Sequence, residues 1–262
     1  MPTQRIVFGD DGSAHADAAW GWINQHSWSG WTVDVLRVAP AQIAPSPNED
    51  RVEPDADPQP PRAGDSRSGL SVSHLRATGD PRVVLATIDD ADLLVVGTRG
   101  RGLMKSMHLG STSEWLLQAP PVPLLLVNQN QPCRNFLVCV DGSEHSTAAV
   151  TALAGWPWLK GISIEVLAVD DGRISAEVAV ETAIGTLTSS GATTTGRVVP
   201  LGDELFVNVR TPILERIRDL EPDLVVAGTR GLTGLERLRV GSVATAIVHH
   251  SPAATLLASA GD

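Results

Sequence analysis

Two copies of one short segment decide the fold of this chain: Asp92-Leu-Leu-Val-Val-Gly97-Thr-Arg-Gly100 and Asp223-Leu-Val-Val-Ala-Gly228-Thr-Arg-Gly231. In each copy an unbroken apolar run, which is typical of a strand buried on both faces, ends at a glycine. A second glycine follows three residues later, and Gly228 follows Gly97 by 131 residues. The segment therefore indicates an internal duplication.

A second pair of segments repeats with nearly the same spacing. Arg5-Ile-Val-Phe-Gly-Asp-Asp11-Gly-Ser13 resembles Asn135-Phe-Leu-Val-Cys-Val-Asp141-Gly-Ser143, and the two aspartates are 130 residues apart. A polar stretch without apolar periodicity, residues 128–132, separates the copies. We predict two domains, residues 1–130 and 131–262.

Composition excludes several classes of protein. The 262 residues contain 20 Lys and Arg against 30 Asp and Glu, a net charge of −10, which excludes a generally basic nucleic-acid coat. Apolar runs are too short to span a bilayer, and the N-terminal residues lack the features of a signal peptide. Cys133 and Cys139 have no partners at zinc spacing and are predicted to be inert. We expect a cytoplasmic protein that binds neither nucleic acid nor membrane.

Short apolar runs alternate with helical patterns in both halves. This alternation predicts an α/β fold of two tandem Rossmann-like domains, each a five-stranded parallel sheet with flanking helices. In the second half the predicted strands are residues 136–140, 162–169, 196–199, 223–227 and 255–258, and the predicted helices are residues 144–153, 175–189, 208–220 and 243–249.

Other features have structural interpretations. Residues 40–69 are rich in proline and acidic side chains, and they predict a solvated loop, with a docking or regulatory segment as the alternative. The seven histidines show no metal-ligand spacing and are predicted at the surface. Tryptophans cluster around the first helix and second strand, which predicts packing in the core or between the domains.

Each glycine segment continues into a longer motif, G-x2-G-x9-G-S, over residues 97–111 and 228–242. Glycines let backbone N–H groups approach a ligand, and the final Gly-Ser opens a helix whose positive end suits phosphate. In an open α/β sheet, ligands bind outside the carboxyl ends of the strands, where this motif begins. Basic side chains in the loops either balance phosphate charge or occupy a solvated surface. They are Arg99, Arg101 and Lys105 in the first loop and Arg230, Arg237 and Arg239 in the second.

The duplicated motif, its preceding strand and the strand–Asp-Gly-Ser opening resemble the universal stress protein family, in its ATP-binding branch. The resemblance covers nearly the whole chain twice, and it implies adenine nucleotide alpha hydrolase-like domains with one ATP site each. It implies that Asp11 and Asp141 contact the ribose or nearby phosphates, that Gly9 passes close to the nucleotide, and that the backbone of Val38 and Val169 recognises adenine. The residues implied to hold the triphosphate are Gly97, Thr98, Arg99, Gly100, Gly110, Ser111, Thr112 and Ser113 in the first half and Gly228, Thr229, Arg230, Gly231, Gly241, Ser242 and Val243 in the second.

The second copy departs from the first at two positions. Ala244 replaces the hydroxyl of Ser113, which the family often keeps, and Cys139 stands where the first half has Gly9. Loss of one neutral hydrogen bond costs about 0.5–1.5 kcal/mol. We therefore expect the first site to bind nucleotide more tightly.

These observations predict an ATP-binding, nucleotide-dependent stress-response regulator, with Mg²⁺ or Mn²⁺ on the phosphates. No general base and no Walker lysine can be identified, so no catalytic residue is predicted. The alternative is a slow ATP hydrolase or phosphotransferase in the same fold. The last strands, residues 124–127 and 255–258, are predicted sheet edges. The resemblance implies that they pair with each other within the chain, as a pseudo-dimer. A homodimer and an unidentified regulatory protein are the other expected partners.

Overall fold

The computed structural model of the chain describes residues 3–40, 62–64, 68–100, 109–172, 175–201, 208–231 and 240–260. Within these ranges strands and helices alternate through both halves. The strands are β1 (Gln4–Gly9), β2 (Trp31–Ala39), β3 (Ser71–Thr78), β4 (Leu93–Gly97), β5 (Leu124–Val127), β6 (Asn135–Cys139), β7 (Ser163–Asp170), β8 (Thr193–Pro200), β9 (Leu224–Gly228) and β10 (Ala254–Ala258). The helices are α1 (Ala14–Asn24), α2 (Pro81–Ala86), α3 (Ser111–Gln118), α4 (Glu144–Ala154), α5 (Ala176–Thr188), α6 (Arg210–Leu220) and α7 (Ser242–His250).

The strands form one continuous sheet in the order β3-β2-β1-β4-β5-β10-β9-β6-β7-β8. All neighbours within each half are parallel, which confirms the α/β prediction of two five-stranded parallel units. The two units join where β5 pairs antiparallel with β10, with Leu125 opposite Leu256. Because this pair is antiparallel, the strands of the two halves run in opposite directions. Their carboxyl ends therefore lie at opposite ends of the sheet along the strand direction.

Helices cover both faces of the sheet. One core lies on the face covered by α1, α4 and α5, and the other lies on the face covered by α2, α3, α6 and α7. The central strands read as continuous apolar runs because both of their faces are buried; Leu224 to Val226 are fully buried, for example. This packing fixes the strand ends that carry the candidate site.

Every strand and helix predicted for the second half is present. The largest difference in a boundary is at β8, which begins at Thr193, three residues before the predicted start. The cause is the run of threonines there, because a half-exposed edge strand shows β-branched residues without a continuous apolar pattern.

The Asp-Gly-Ser segments turn the chain from the first strand of each half into the following helix. Gly12 and Gly142 have φ angles of 69° and 76°, a left-handed conformation that favours glycine. The next residue caps the helix: the Ser13 hydroxyl accepts from the Ala16 N–H, and the Ser143 hydroxyl accepts from the Ser146 N–H, both at 3.1 Å. The duplicated sequence therefore produces the same turn twice.

An aromatic cluster packs the two halves together on the α1 and α4 face. The ring centroids of Trp22 and Trp28 lie 5.6–5.8 Å from those of Trp156 and Trp158, all in edge-to-face contacts. Edge-to-face pairs are a favoured arrangement of aromatic rings. This confirms the prediction that tryptophans pack in the core and between the domains.

His26 belongs to the same cluster, so the prediction of a surface position is wrong for this histidine. Its ring stacks on Trp158 with centroids 3.8 Å apart, and its Nδ1 lies 2.8 Å from the carbonyl oxygen of Trp22. Burial lowers the pKa of His26 from 6.5 to about 4, against the opposing effect of the bond to Trp22. The aromatic cluster thus holds His26 neutral.

The remaining sequence features are placed as follows. Cys133 and Cys139 are buried, and burial raises the pKa of both thiols to about 12, which suppresses the reactive thiolate. Most of the proline-rich stretch, residues 41–61 and 65–67, lies outside the described residues. None of the helices in the described part of the chain has the length and apolarity needed to cross a bilayer.

Replacement of His26 by Phe should reduce the dependence of stability on pH. Between pH 6.5 and about 4 the unfolded chain binds a proton at His26 that the folded chain does not bind, so the free energy of unfolding falls as the pH drops through this window. The loss attributable to His26 is on the order of 3 kcal/mol. Urea unfolding at several pH values measures it. The control is His74→Phe on the exposed strand β3, which makes the same substitution outside the aromatic cluster. An unchanged slope in His26→Phe would contradict the assignment.

Candidate functional site

A pocket of about 550 Å³ lies at the carboxyl ends of β6, β7 and β9 in the second half. Its lining comes from separate segments of the chain: the Asp-Gly-Ser turn, the end of β7, the glycine loop after β9 and the first turn of α7. The nine residues predicted for the second site all line it: Asp141, Val169, Gly228, Thr229, Arg230, Gly231, Gly241, Ser242 and Val243.

Asp141 is held at the pocket by its own turn. Its Oδ1 accepts from the backbone N–H of Ser143 at 3.0 Å and from the Ser143 hydroxyl at 2.6 Å. Its Oδ2 lies against Gly231, where a Cβ would stand only 2.5 Å from that oxygen. The absence of a side chain at Gly231 is therefore what lets the carboxylate and the glycine loop meet.

Gly228 is required by packing. A Cβ at this position would stand 2.6 Å from the backbone nitrogen of Ser146 and 2.7 Å from the carbonyl carbon of His145. The end of β9 therefore touches the first turn of α4 through backbone atoms. The same contact recurs in the first half, where a Cβ on Gly97 would stand 2.7 Å from the carbonyl carbon of His15.

The described residues on either side of the loop meet before α7 begins. The Gly241 N–H donates to the carbonyl oxygen of Thr229 at 2.7 Å, and a Cβ on Gly241 would stand 3.3 Å from that oxygen. The equivalent bond in the first half joins the Gly110 N–H to Thr98, also at 2.7 Å. Glycine thus serves both loops by allowing backbone to pack on backbone.

The N-terminus of α7 faces the pocket without a side-chain cap. Its N-cap residue is Gly241, whereas α4 and α5 are capped by the hydroxyls of Ser143 and Ser175. The first N–H groups of a helix have no partner within the helix, and they carry its positive end. Buried Thr229 Oγ1 also has no hydrogen-bond partner among the described residues. This end of the pocket offers donors suited to an anion.

Many other residues that line the pocket were not predicted from the sequence. Val140 and Ala168 lie one residue before predicted positions, and the rule that ligands bind at the carboxyl ends of strands could have identified them. Other residues come from connections whose conformation has no short-range signal. The missed residues that line the pocket include Val140, Ser146, Ala168, Asp171, Ala176, Leu201, Asn208, Val209, Arg210 and Ile213.

The first half positions its equivalent residues differently. Thr98 and Arg99 line a cleft of about 690 Å³ between the halves, together with His15 and the C-terminal end of α7. His15 Nδ1 lies 3.4 Å from Thr98 Oγ1. The Asp11 carboxylate lies against Gly100, where a Cβ would stand 2.7 Å from Oδ2. The contact between aspartate and glycine is therefore repeated in the first half, whereas its threonine and arginine face the other half of the chain.

Three further predicted residues of the first half are engaged in packing. A Cβ on Gly9 would meet Val96 and Leu85 at 3.0 and 3.2 Å, so the missing side chain relieves crowding in the core. Val38 packs in the same core. Ser113 is 3% exposed, and its hydroxyl donates to the Gly97 carbonyl at 2.8 Å, so it braces the end of β4.

The remaining predicted residues of the first half begin α3. Gly110 is its N-cap without a side-chain hydrogen bond, as Gly241 is for α7. Ser111 is exposed and Thr112 is half-buried in the first turn. The predicted loop cations Arg101, Lys105, Arg237 and Arg239 lie outside the described residues.

Comparison with known proteins agrees with the duplication. Residues 2–128 and 132–259 each match the model of the universal stress protein family. A Staphylococcus epidermidis protein provisionally named a universal stress protein is 29% identical over 137 residues, which cover 47% of this chain and 82% of that protein.

Solved structures resemble the whole chain. The structure of a universal stress protein from Archaeoglobus fulgidus covers 100% of both chains, with a TM-score of 0.67 and 17% identity. A functionally unknown protein from Pseudomonas aeruginosa covers 98% of this chain and 92% of its own length, with a TM-score of 0.61 and 16% identity. At such identities these likenesses establish the fold.

Replacement of Gly228 or Gly97 by Ala should destabilise the protein even without a ligand. Each new methyl group would collide with the backbone at the start of a helix, a type of overpacking that costs about 1–3 kcal/mol. The matched control is Gly185→Ala, at an exposed position within α5 where a Cβ meets nothing. It should be neutral or stabilising by up to about 1 kcal/mol. Urea unfolding without nucleotide measures both. If the three variants were equally stable, the packing role of the motif glycines would be wrong.

Proposed function

The chain belongs to the universal stress protein family, and we propose that it binds ATP in the pocket of its second half and acts as a nucleotide-dependent regulator of a stress response. The observation that carries the proposal is the convergence of nine predicted residues, from four separate segments, on one pocket. A volume of about 550 Å³ lies within the range of about 300–1,000 Å³ that is usual for small-molecule sites.

The phosphates are assigned to the glycine-loop end of the pocket. The uncapped first turn of α7, from Ser242 onward, supplies backbone donors at the positive end of a helix. The Thr229 hydroxyl lacks a partner among the described residues, and Arg230 brings a positive charge to the lining. Charge-assisted hydrogen bonds to phosphate are the strong ones. These features together support a phosphorylated ligand.

The nucleoside is assigned to the apolar part of the pocket lining. Val140, Ala168 and Ile213 are apolar side chains suited to contact a base, and Val169, which the family resemblance assigns to adenine recognition, lines the same pocket. Asp141 and Asp171 bring carboxylate groups to the lining, where ribose hydroxyls can donate to them. This division into apolar wall and polar rim supports a nucleoside phosphate over a simple anion.

The metal accompanies the nucleotide in this proposal. The described residues contain no group of three His, Cys, Asp or Glu side chains arranged to hold a metal ion. Mg²⁺ prefers oxygen ligands and is commonly bound through substrate phosphates with one or two carboxylates. Mg²⁺ or Mn²⁺ would therefore be carried on the phosphate oxygens, where it neutralises their charge.

A nucleotide hydrolase or phosphotransferase is the competing function. Release of phosphate over many turnovers, lost when Asp11 and Asp141 are both replaced by Asn, would favour the enzyme. Intact ATP that copurifies with the protein, with at most slow hydrolysis, would favour the regulator. Mass spectrometry of nucleotide released from freshly purified protein distinguishes these outcomes.

Replacement of Gly231 by Ala should weaken ATP binding at least tenfold. The new methyl group would stand 2.5 Å from the Asp141 carboxylate, so the carboxylate or the loop must leave its position. A tenfold loss corresponds to about 1.4 kcal/mol. Isothermal titration of the full chain with MgATP measures the affinity, and Gly185→Ala provides the control with the same chemical change in open space. Undetectable binding by the wild-type chain would refute the proposed function.

A further inference from the structure

The two halves differ at the base of the candidate site. Val140 in the second half directly precedes Asp141, and the corresponding residue of the first half is Asp10. Ala168 directly precedes Val169, and the corresponding residue is Arg37. The second half therefore lines its pocket with small apolar side chains at two positions where the first half has an acid and a base.

In the first half, Asp10 and Arg37 form an ion pair with each other. The side chain of Asp10 is fully buried, and its Oδ2 accepts from Arg37 Nη2 at 2.7 Å and from Nε at 2.8 Å. Its Oδ1 also accepts from the Gly12 N–H at 3.0 Å. A buried carboxylate is stable only when it is paired and hydrogen-bonded, so these contacts hold both side chains in place.

A third side chain reaches the same carboxylate from the connection between β2 and β3. Arg62 Nη2 donates to Asp10 Oδ1 at 2.8 Å, and its Nη1 donates to Asp17 in α1 at 2.6 Å. In the second half the connection between β7 and β8 forms α5, and the described residues of this connection that line the pocket are Asp171 and Ala176. Both connections reach the sheet edge, but that of the first half inserts a guanidinium.

The charges of this cluster are locked together. Burial on its own would raise the pKa of Asp10, but the hydrogen bonds from Arg62 and Arg37 outweigh that effect and hold the pKa below its ordinary value. Arg62 is only 15% exposed and Arg37 is 23% exposed. A nucleotide base could enter this space only if the buried ion pairs between Asp10 and the two arginines were separated. Their separation would leave an uncompensated charge.

From this difference we infer that the chain binds one nucleotide, in its second half, because the Arg37–Asp10–Arg62 cluster fills in the first half the space that Val140, Ala168 and Ala176 leave open in the second. The inference rests on the proposed function and specifies which half performs it. It reverses the sequence-based expectation of a tighter first site, which relied on the Ser113 hydroxyl and on Gly9. In the structure the Ser113 hydroxyl donates to Gly97, and a Cβ on Gly9 would meet core side chains.

The number of nucleotides per chain tests the inference. Native mass spectrometry of the full chain at increasing MgATP should show one nucleotide bound, with any second event at least tenfold weaker. Gly231→Ala and Gly100→Ala form a matched pair, because each new methyl group crowds the aspartate of its own half. The first variant should lose the bound nucleotide and the second should keep it.

Each alternative outcome has a distinct meaning. No nucleotide at any concentration would remove the proposed function itself. Two nucleotides of similar affinity would overturn the inference and leave the proposed function standing. One nucleotide that is lost in Gly100→Ala and kept in Gly231→Ala would overturn both the inference and the assignment of the proposed site to the second half.

Transfer of the charged pair tests the mechanism of exclusion. The double variant Val140→Asp/Ala168→Arg builds the first-half pair into the second half, and it should weaken MgATP binding at least tenfold. The control Thr182→Asp/Thr186→Arg adds the same two side chains on the exposed face of α5, outside the pocket lining, and it should stay within about threefold of wild type, a difference below 1 kcal/mol. Far-ultraviolet circular dichroism establishes that both variants are folded. Wild-type affinity in the folded double variant would show that the cluster does not exclude nucleotide.

Discussion

The antiparallel pairing of β5 with β10 is the contact on which the arrangement of the whole molecule depends. Leu124, Leu125 and Leu126 face Leu257, Leu256 and Thr255, and this register turns two parallel sheets into one. Pairing also covers two strand edges that would otherwise expose unpaired backbone groups. Because the strand direction reverses at this pair, the glycine motifs that follow β4 and β9 lie at opposite ends of the sheet along the strand direction. On one face of the sheet, the tryptophan cluster also packs across the junction between the two halves.

The glycines of the repeated motif are required for packing within the folded chain, whether or not a ligand is bound. Gly97 and Gly228 allow a strand end to touch the backbone of a helix, and Gly100 and Gly231 make room for an aspartate. Such contacts explain how both halves can keep the motif although, among the described residues, the side chains beside it differ between the halves. An intact glycine motif is therefore weaker support for ligand binding than the side chains around it.

The sequence predicted the elements, and it predicted the second-half pocket residues that belong to the motif, because strand periodicity and glycine spacing are local patterns. It failed where the outcome depends on distant partners. His26, for example, is covered by Trp158 from the other half, which stacks on its ring. The Ser113 hydroxyl donates a hydrogen bond to the Gly97 carbonyl. The Arg62 side chain donates to Asp10, which lies 52 positions earlier in the chain. No local pattern encodes these pairings, so the difference between the two halves emerges only in three dimensions.

Helix α7 spans the distance between two cavities. Its first residue, Ser242, lines the second-half pocket, and its last residues, His249 and His250, line the cleft beside Thr98 and Arg99 of the first half. Nine residues of α-helix form a stiff rod about 13 Å long. The first turn of this helix therefore borders one cavity and its last turn borders the other, so a single rigid element belongs to the walls of both.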